Sequence, residues 1–105
     1  EHTAYGIELE EPGPRVSRFD EAIQVIRSLL SNDRTDFHGQ FYDITDAPAD
    51  PKPVQSPLPI LVGTGSSRML QITARHADEW NTWGDPDEVG RRTAQFLAAC
   101  DAVRG

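Results

Sequence analysis

The chain has 105 residues, of which 37% are hydrophobic, and carries a net charge of −7. That length allows at most one domain with a core, and the apolar share is low against the roughly 45–50% (glycine counted) of a self-sufficient α/β domain. The acidic balance argues against a nucleic-acid or anionic-membrane surface, which needs a basic patch.

Residues 1–14 read as irregular, punctuated by Gly6, Pro12, Gly13 and Pro14. An amphipathic helix is expected over Arg15 to Ser31. Val16, Phe19, Ala22, Ile23, Ile26, Leu29 and Leu30 recur at three- and four-residue steps and line one face. Pro14 suits the first turn, and Asp20 and Glu21 fall toward the positive end of the helix dipole. Thr35 to Thr45 reads as a small hairpin, with Phe37 and Phe41 to Ile44 around a turn at His38, Gly39 and Gln40. Ala47 to Pro59 contains Pro48, Pro51, Pro53, Pro57 and Pro59 and reads as an extended connector lying against something.

Beyond it strand and helix alternate. Ile60 to Val62 lacks polar alternation, as a parallel strand covered on both faces does. Ser67 to Ala77 is expected to be a helix with Met69, Leu70, Ile72, Thr73 and Ala77 inward, and Glu79 to Trp83 the next strand. Asp85, Pro86 and Glu88 give an N-cap, a first helical position and a capping-box partner. The helix they open is expected to bury Val89, Phe96, Leu97, Cys100 and Val103. The order is that of βα units, in three stretches: 1–34 loop and helix, 35–59 hairpin and connector, 60–105 two βα units.

Cysteine and histidine say little. Cys100 is alone, so neither an internal disulfide nor a multi-thiolate site is available, and it reads as a small buried hydrophobe. His2, His38 and His76 lack ligand spacing, so no structural metal is expected, and His76 reads as structural. No stretch approaches the roughly 20 apolar residues of a membrane span and no signal-peptide pattern is present, which fits a cytoplasmic protein. Glu1 is not Met, so the true start is expected upstream.

The chemistry concentrates in Gly63-Thr64-Gly65-Ser66-Ser67, between a strand and a helix. Backbone N–H groups converge there at the positive end of the helix dipole, glycines admit close approach and positive φ, and Thr64, Ser66 and Ser67 add hydroxyls. Arg68 either adds a charged contact or faces solvent. A phosphate cradle and a tight structural turn both fit this pattern. A Walker-type loop does not, because no Gly-Lys-Ser/Thr follows. The G-x-G-x-x-G dinucleotide spacing fails at Arg68, and a methyltransferase turn would usually have an acid at the strand end, where Ile60, Leu61 and Val62 stand. Trp80 reads as core more readily than as ligand contact, Asn81 as a ligand or a tie between loops, Asp78 as a loop anchor and Glu79 as a strand residue without a role. No nucleophile–base arrangement is present.

EHTAYG at 1–6, FHGQFYDITDAP at 37–48, PKPVQSPLPILVGTGSSR at 51–68 and ARHADEWNTWGDPDEV at 74–89 together resemble the luciferase-like monooxygenase superfamily. Within it they are most similar to the oxidoreductases that use the deazaflavin coenzyme F-420. The resemblance implies a TIM (β/α) barrel, of which this chain is a central-to-late part: the loop after the fourth strand, its helix, the family's hairpin excursion, and the fifth and sixth strands with their helices. The fold class so implied is α/β, a partial barrel with about two parallel strands. It further implies that Gly63, Thr64, Gly65 and Ser66 hold the cofactor phosphate, and that hydride passes between coenzyme F-420 and a small organic substrate. Flavin mononucleotide (FMN) is the alternative cofactor, and ADEWN at 77–81 favours the deazaflavin group. Catalytic residues are expected outside this chain. Two strands cannot close a barrel, so these 105 residues alone are expected to be inactive, with a homo-oligomer or the remaining barrel segments as partners, and a truncated barrel fragment that acts only by association is the non-enzyme alternative.

Overall fold

The computed structural model describes Gly6 and residues 11–104. The chain divides into two compact units, Glu1–Lys52 and Pro53–Gly105. The expectations for residues 1–5, 7–10 and 105 lie outside the described residues.

The first unit contains one helix and one hairpin, α1 (Pro12–Ser31), β1 (Thr35–His38) and β2 (Asp43–Ala47). The helix starts three residues before the expected Arg15. The first four N–H groups of a helix have no intrahelical acceptor, so Pro12 and Pro14 cost nothing there. Arg15 is the first residue whose amide bonds back, to the Glu11 carbonyl at 3.0 Å. The sequence pattern therefore marks the first hydrogen bond, not the first turn. Nor is burial a single stripe. Ile23 and Val25 are buried while Ile26 is 48% exposed. Positions 23 and 25 are about 200° apart around the axis, so the helix is covered on two sides.

Glu21 consequently lies mid-helix, away from the dipole's positive end. Its carboxylate instead accepts the amides of Gln40 at 2.9 Å, Phe41 at 3.0 Å and Tyr42 at 3.2 Å. Those bonds fix the hairpin turn at 39–42, closed by Gly39 N–H to the Tyr42 carbonyl at 2.8 Å. The expected turn at His38–Gln40 is thus displaced toward the C-terminus, because a helix side chain and not local turn chemistry sets it. A Cβ on Gly39 would meet the Glu21 carboxylate and come within 2.7 Å of the Phe37 ring. Arg18 covers the same tip, its guanidinium carbon 4.9 Å from the Phe41 ring centroid. In the strands Phe37 pairs with Ile44 and Thr35 with Ala47, two residues against three, so β2 bulges. Asp46 occupies the bulge at φ 50°, and its amide bonds to the Asp36 carboxylate at 2.8 Å.

Desolvation pushes the Glu21 carboxyl up, but the amides of Phe41, Gln40 and Tyr42, with Arg18, outweigh it and hold the pKa below its ordinary value of 4.5. In the unfolded chain Glu21 takes up its proton first as pH falls, so the hairpin's stabilisation is complete above that ordinary value and is lost as pH drops through the folded value. Protection of the amides of residues 40–42, measured against their intrinsic exchange rates, should therefore fall as the pH drops below the ordinary carboxyl value, and Glu21→Gln should abolish that loss. An exchange profile unaltered by the substitution would show that Glu21 does not hold the turn.

The second unit contains β3 (Leu61–Gly63), α2 (Ser67–His76), β4 (Glu79–Asn81) and α3 (Pro86–Arg104). β3 and β4 pair in parallel, Leu61 opposite Glu79, Val62 opposite Trp80 and Gly63 opposite Asn81. Asp78 is the anchor expected of it, accepting the Ile60 amide through its carboxylate at 2.9 Å. Val62 is buried but Leu61 is 54% exposed, so the strand is covered on one face and not both. Side chains alternate along a strand, so Leu61 and Val62 face opposite sides, and the described residues of this unit cover the Val62 side. β4 stops at Asn81, short of the expected Trp83, because Gly84 turns the chain with φ 144° and leaves Trp83 85% exposed.

In α2, Leu70, Ile72 and Thr73 are buried as expected, and Met69 and Ala77 are half-buried. Asp85 caps α3 through Oδ1, which accepts the Glu88 amide at 2.9 Å. Leu97 and Val103, expected inside, are 58% and 46% exposed, while Val89, Phe96 and Cys100 are half-buried. Two three-residue strands and a ten-residue helix are too small to cover nineteen residues of α3. Among the described residues, no helix is long and apolar enough to cross a membrane.

Candidate functional site

The carboxyl ends of β3 and β4 and the second turn of α3 enclose a cleft of about 550 Å³. Gly63, Thr64, Gly65 and Ser66 all line it, so the structure brings the four expected residues to one surface. Facing them are Asn81, Thr82, Trp83 and Arg92. A groove of about 670 Å³ between α2 and α3 is larger, but Leu70, Ala98, Ala99, Ala102 and Val103 make much of its wall. The smaller cleft, lined by the glycine turn, Asn81, Thr82 and Arg92, is the better candidate for a polar ligand.

The turn is held from beneath. Thr64 N–H donates to the Asn81 carbonyl at 3.0 Å and extends the parallel ladder by one residue. Trp80 Nε1 donates to the Thr64 carbonyl at 2.9 Å, and the indole stacks on Phe96 of α3 at 4.7 Å between centroids. Trp80 is thus half-buried core that also fixes the turn, and Asn81 ties the two strand ends through its backbone. The Thr64 amide is committed to Asn81, so the turn's amides left to a ligand in this cleft are those of Gly65 and Ser66, while Ser67, at the start of α2, lines the groove between the helices. Ser66 is the N-cap by position but makes no side-chain cap bond, so its hydroxyl stays outside the helix.

Positive φ, one of the two reasons given for the glycines, does not apply. Among the described residues the positive-φ glycines are Gly6 and Gly84. At Gly65 the constraint is spatial: a Cβ there would lie 2.8 Å from Arg92 Nε and 2.9 Å from its Cζ, so the arginine would have to move aside. Gly63 has room, since its Cβ would meet the Asn81 carbonyl oxygen at 3.9 Å.

Arg92 is the site residue that sequence reasoning missed. It sits in α3 seven residues after the Asp85 cap, near the helix end that follows β4, and that position was its available signal. Nη1 donates to the Trp83 carbonyl at 2.8 Å and to Thr82 Oγ1 at 3.2 Å. Nη2 lies 3.9 Å from a Glu88 carboxylate oxygen. Elsewhere, Arg68 is exposed and His76 ends α2 half-buried. Among the described residues no group of His, Cys, Asp or Glu side chains is arranged to hold a metal.

The sequence matches the family model for luciferase-like monooxygenases over residues 1–105. The chain belongs to the luciferase-like monooxygenase family. An uncharacterized protein of Mycobacterium tuberculosis is 45% identical over 82 residues, covering 77% of this chain and 28% of that protein. The F420-dependent glucose-6-phosphate dehydrogenase of Kineococcus radiotolerans is 34% identical over 76 residues, 72% of this chain and 22% of the relative. The FMNH(2)-dependent dimethylsulfone monooxygenase of Pseudomonas putida is 34% identical over 80 residues, 76% and 22% respectively. The matched stretch therefore spans less than a third of each of these luciferase-like relatives.

The Trp80 contact gives a direct check on how the turn is held. Trp80→Phe keeps a ring on Phe96 but removes the donor to Thr64. It should cost about 1 kcal/mol of stability in denaturant melts. Unchanged stability would mean that the Trp80–Thr64 bond does not hold the turn.

Proposed function

We propose that this chain supplies the phosphate-anchoring corner of an oxidoreductase that transfers hydride between coenzyme F-420 and a small organic substrate. The observation that carries the reading is the shared cleft at the parallel strand ends, where the Gly63–Ser66 turn meets Arg92. The donor set suits an anion: uncommitted amides, three hydroxyls and a guanidinium, with a glycine where a Cβ would strike the guanidinium. Hydride transfer is the chemistry such a cofactor supplies when bound. The chain's own part is to hold and orient: Trp80 and Asn81 fix the turn, and the turn's amides fix a phosphate.

The bare face of β3, with Leu61, fits a partial TIM barrel whose other strands cover it. On this reading the remaining barrel strands are the principal partners, catalytic residues lie on them, the 105 residues alone do not turn over substrate, and the protein is cytoplasmic. FMN-dependent monooxygenation is the second reading, favoured by the FMNH(2)-dependent relative, which is as similar as the F420-dependent one. The ADEWN segment at 77–81 supports the deazaflavin choice.

Titration of the intact protein with coenzyme F-420 and with FMN separates the two. F-420 should bind at least about tenfold tighter, a difference of about 1.4 kcal/mol. Equal affinities would remove the preference, and FMN binding tighter would select the monooxygenase reading.

A further inference from the structure

Arg92 is the one cationic side chain among the described residues that lines the cleft. Its plane is set by two neutral acceptors, the Trp83 carbonyl at 2.8 Å and Thr82 Oγ1 at 3.2 Å, which orient the guanidinium without discharging it. Both bonds use Nη1, and the Nε–Cζ edge faces Gly65 closely enough that a Cβ there would lie 2.8 Å from Nε. The group that opposes its charge is Glu88, one helical turn before it, whose carboxylate stands 3.9 Å from Nη2. That distance is an ion pair and not a hydrogen bond. Arg92 therefore approaches the turn oriented, charged and with donor capacity left, while a carboxylate competes for it from the rim.

We propose that Arg92 is the specificity residue that reads the cofactor's phosphate, with Glu88 as an internal competitor for the same guanidinium. This deepens the reading that Gly63–Ser66 cradles the phosphate and rests on it. Removing the guanidinium should weaken the phosphorylated cofactor selectively. Neutralising Glu88 should do the opposite, because a phosphate no longer displaces a carboxylate.

The test titrates the intact protein, wild type, Arg92→Met and Glu88→Gln, with two ligand pairs. One pair is FMN and riboflavin, the other coenzyme F-420 and its phosphate-free deazaflavin chromophore. In whichever pair the wild type favours the phosphorylated member, Arg92→Met should lower that member's affinity about 10- to 100-fold and leave the phosphate-free member within about twofold. Glu88→Gln should tighten the phosphorylated member about two- to fivefold. Equal losses for both members of a pair would overturn the proposal, since Arg92 would then be only a strut for the Trp83 loop. So would an unchanged phosphorylated affinity in Arg92→Met while the wild type still discriminates, and that result would leave the cradle reading standing. A wild type that fails to discriminate within either pair would sink the cradle reading itself, and the Arg92 proposal with it.

Discussion

Gly65→Val should lower the affinity of the intact protein for its phosphorylated cofactor about 100-fold, roughly 2.8 kcal/mol, with the fold retained. The φ at Gly65 is not positive, so valine meets no torsional barrier there. The cost is spatial. The first added carbon would lie 2.8 Å from Arg92 Nε, 2.9 Å from Cζ and 3.1 Å from Cδ. Arginine is long and can swing away, but swinging gives up the bonds to the Trp83 carbonyl and Thr82. The branched methyls then fill the space in front of the Gly65 and Ser66 amides. Stability should fall by only about 1 kcal/mol, the worth of one or two part-exposed hydrogen bonds. Gly63→Ala is the matched control: its Cβ would meet the Asn81 carbonyl oxygen at 3.9 Å, an ordinary contact. It should bind the cofactor within about threefold of wild type, about 0.7 kcal/mol. Equal binding by Gly65→Val and wild type would reduce the turn to a plain strand-to-helix connection.

What the sequence made legible was local. The strand, turn, helix, strand order of 60–81 follows from runs of apolar residues broken by small polar ones, and the cap at Asp85 from three adjacent residues. The gathering of Gly63 to Ser66 at one cleft was legible for the same reason, because a strand-to-helix turn puts its amides at the strand's carboxyl end. What was not legible depends on residues far apart in the chain. Glu21 fixes a turn about twenty positions away, and nothing near Gln40 announces that its amide will find a carboxylate. Arg92 reaches Gly65 across twenty-seven positions, and an arginine on a helix usually means solvent. Exposure of Leu61, Leu97 and Val103 was misjudged for another reason. Periodicity reports which face a residue occupies, but not whether the described chain supplies anything to cover that face.

That distinction sets up a second large effect. Leu70→Ala should destabilise the intact protein by about 2–5 kcal/mol, through lost transfer energy and the cavity left behind. Leu70 is 1% exposed on the face of α2 that also carries the buried Thr73, and Ile72 is buried on the other side. The loss should appear as a lower urea midpoint at constant slope. Leu97→Ala removes the same atoms from a residue 58% exposed in this unit and should cost less than about 0.5 kcal/mol. If Leu97→Ala instead costs as much as Leu70→Ala, other parts of the intact protein cover that face of α3. A cost below about 1 kcal/mol at Leu70 would contradict the packing of α2 itself. The consequence extends to the site, because the Leu70 amide bonds to the Ser66 carbonyl at 2.9 Å in the first turn of α2. A helix that loses its seat at Leu70 no longer holds Ser66 at the cleft, so cofactor affinity should fall with stability in Leu70→Ala and stay unchanged in Leu97→Ala.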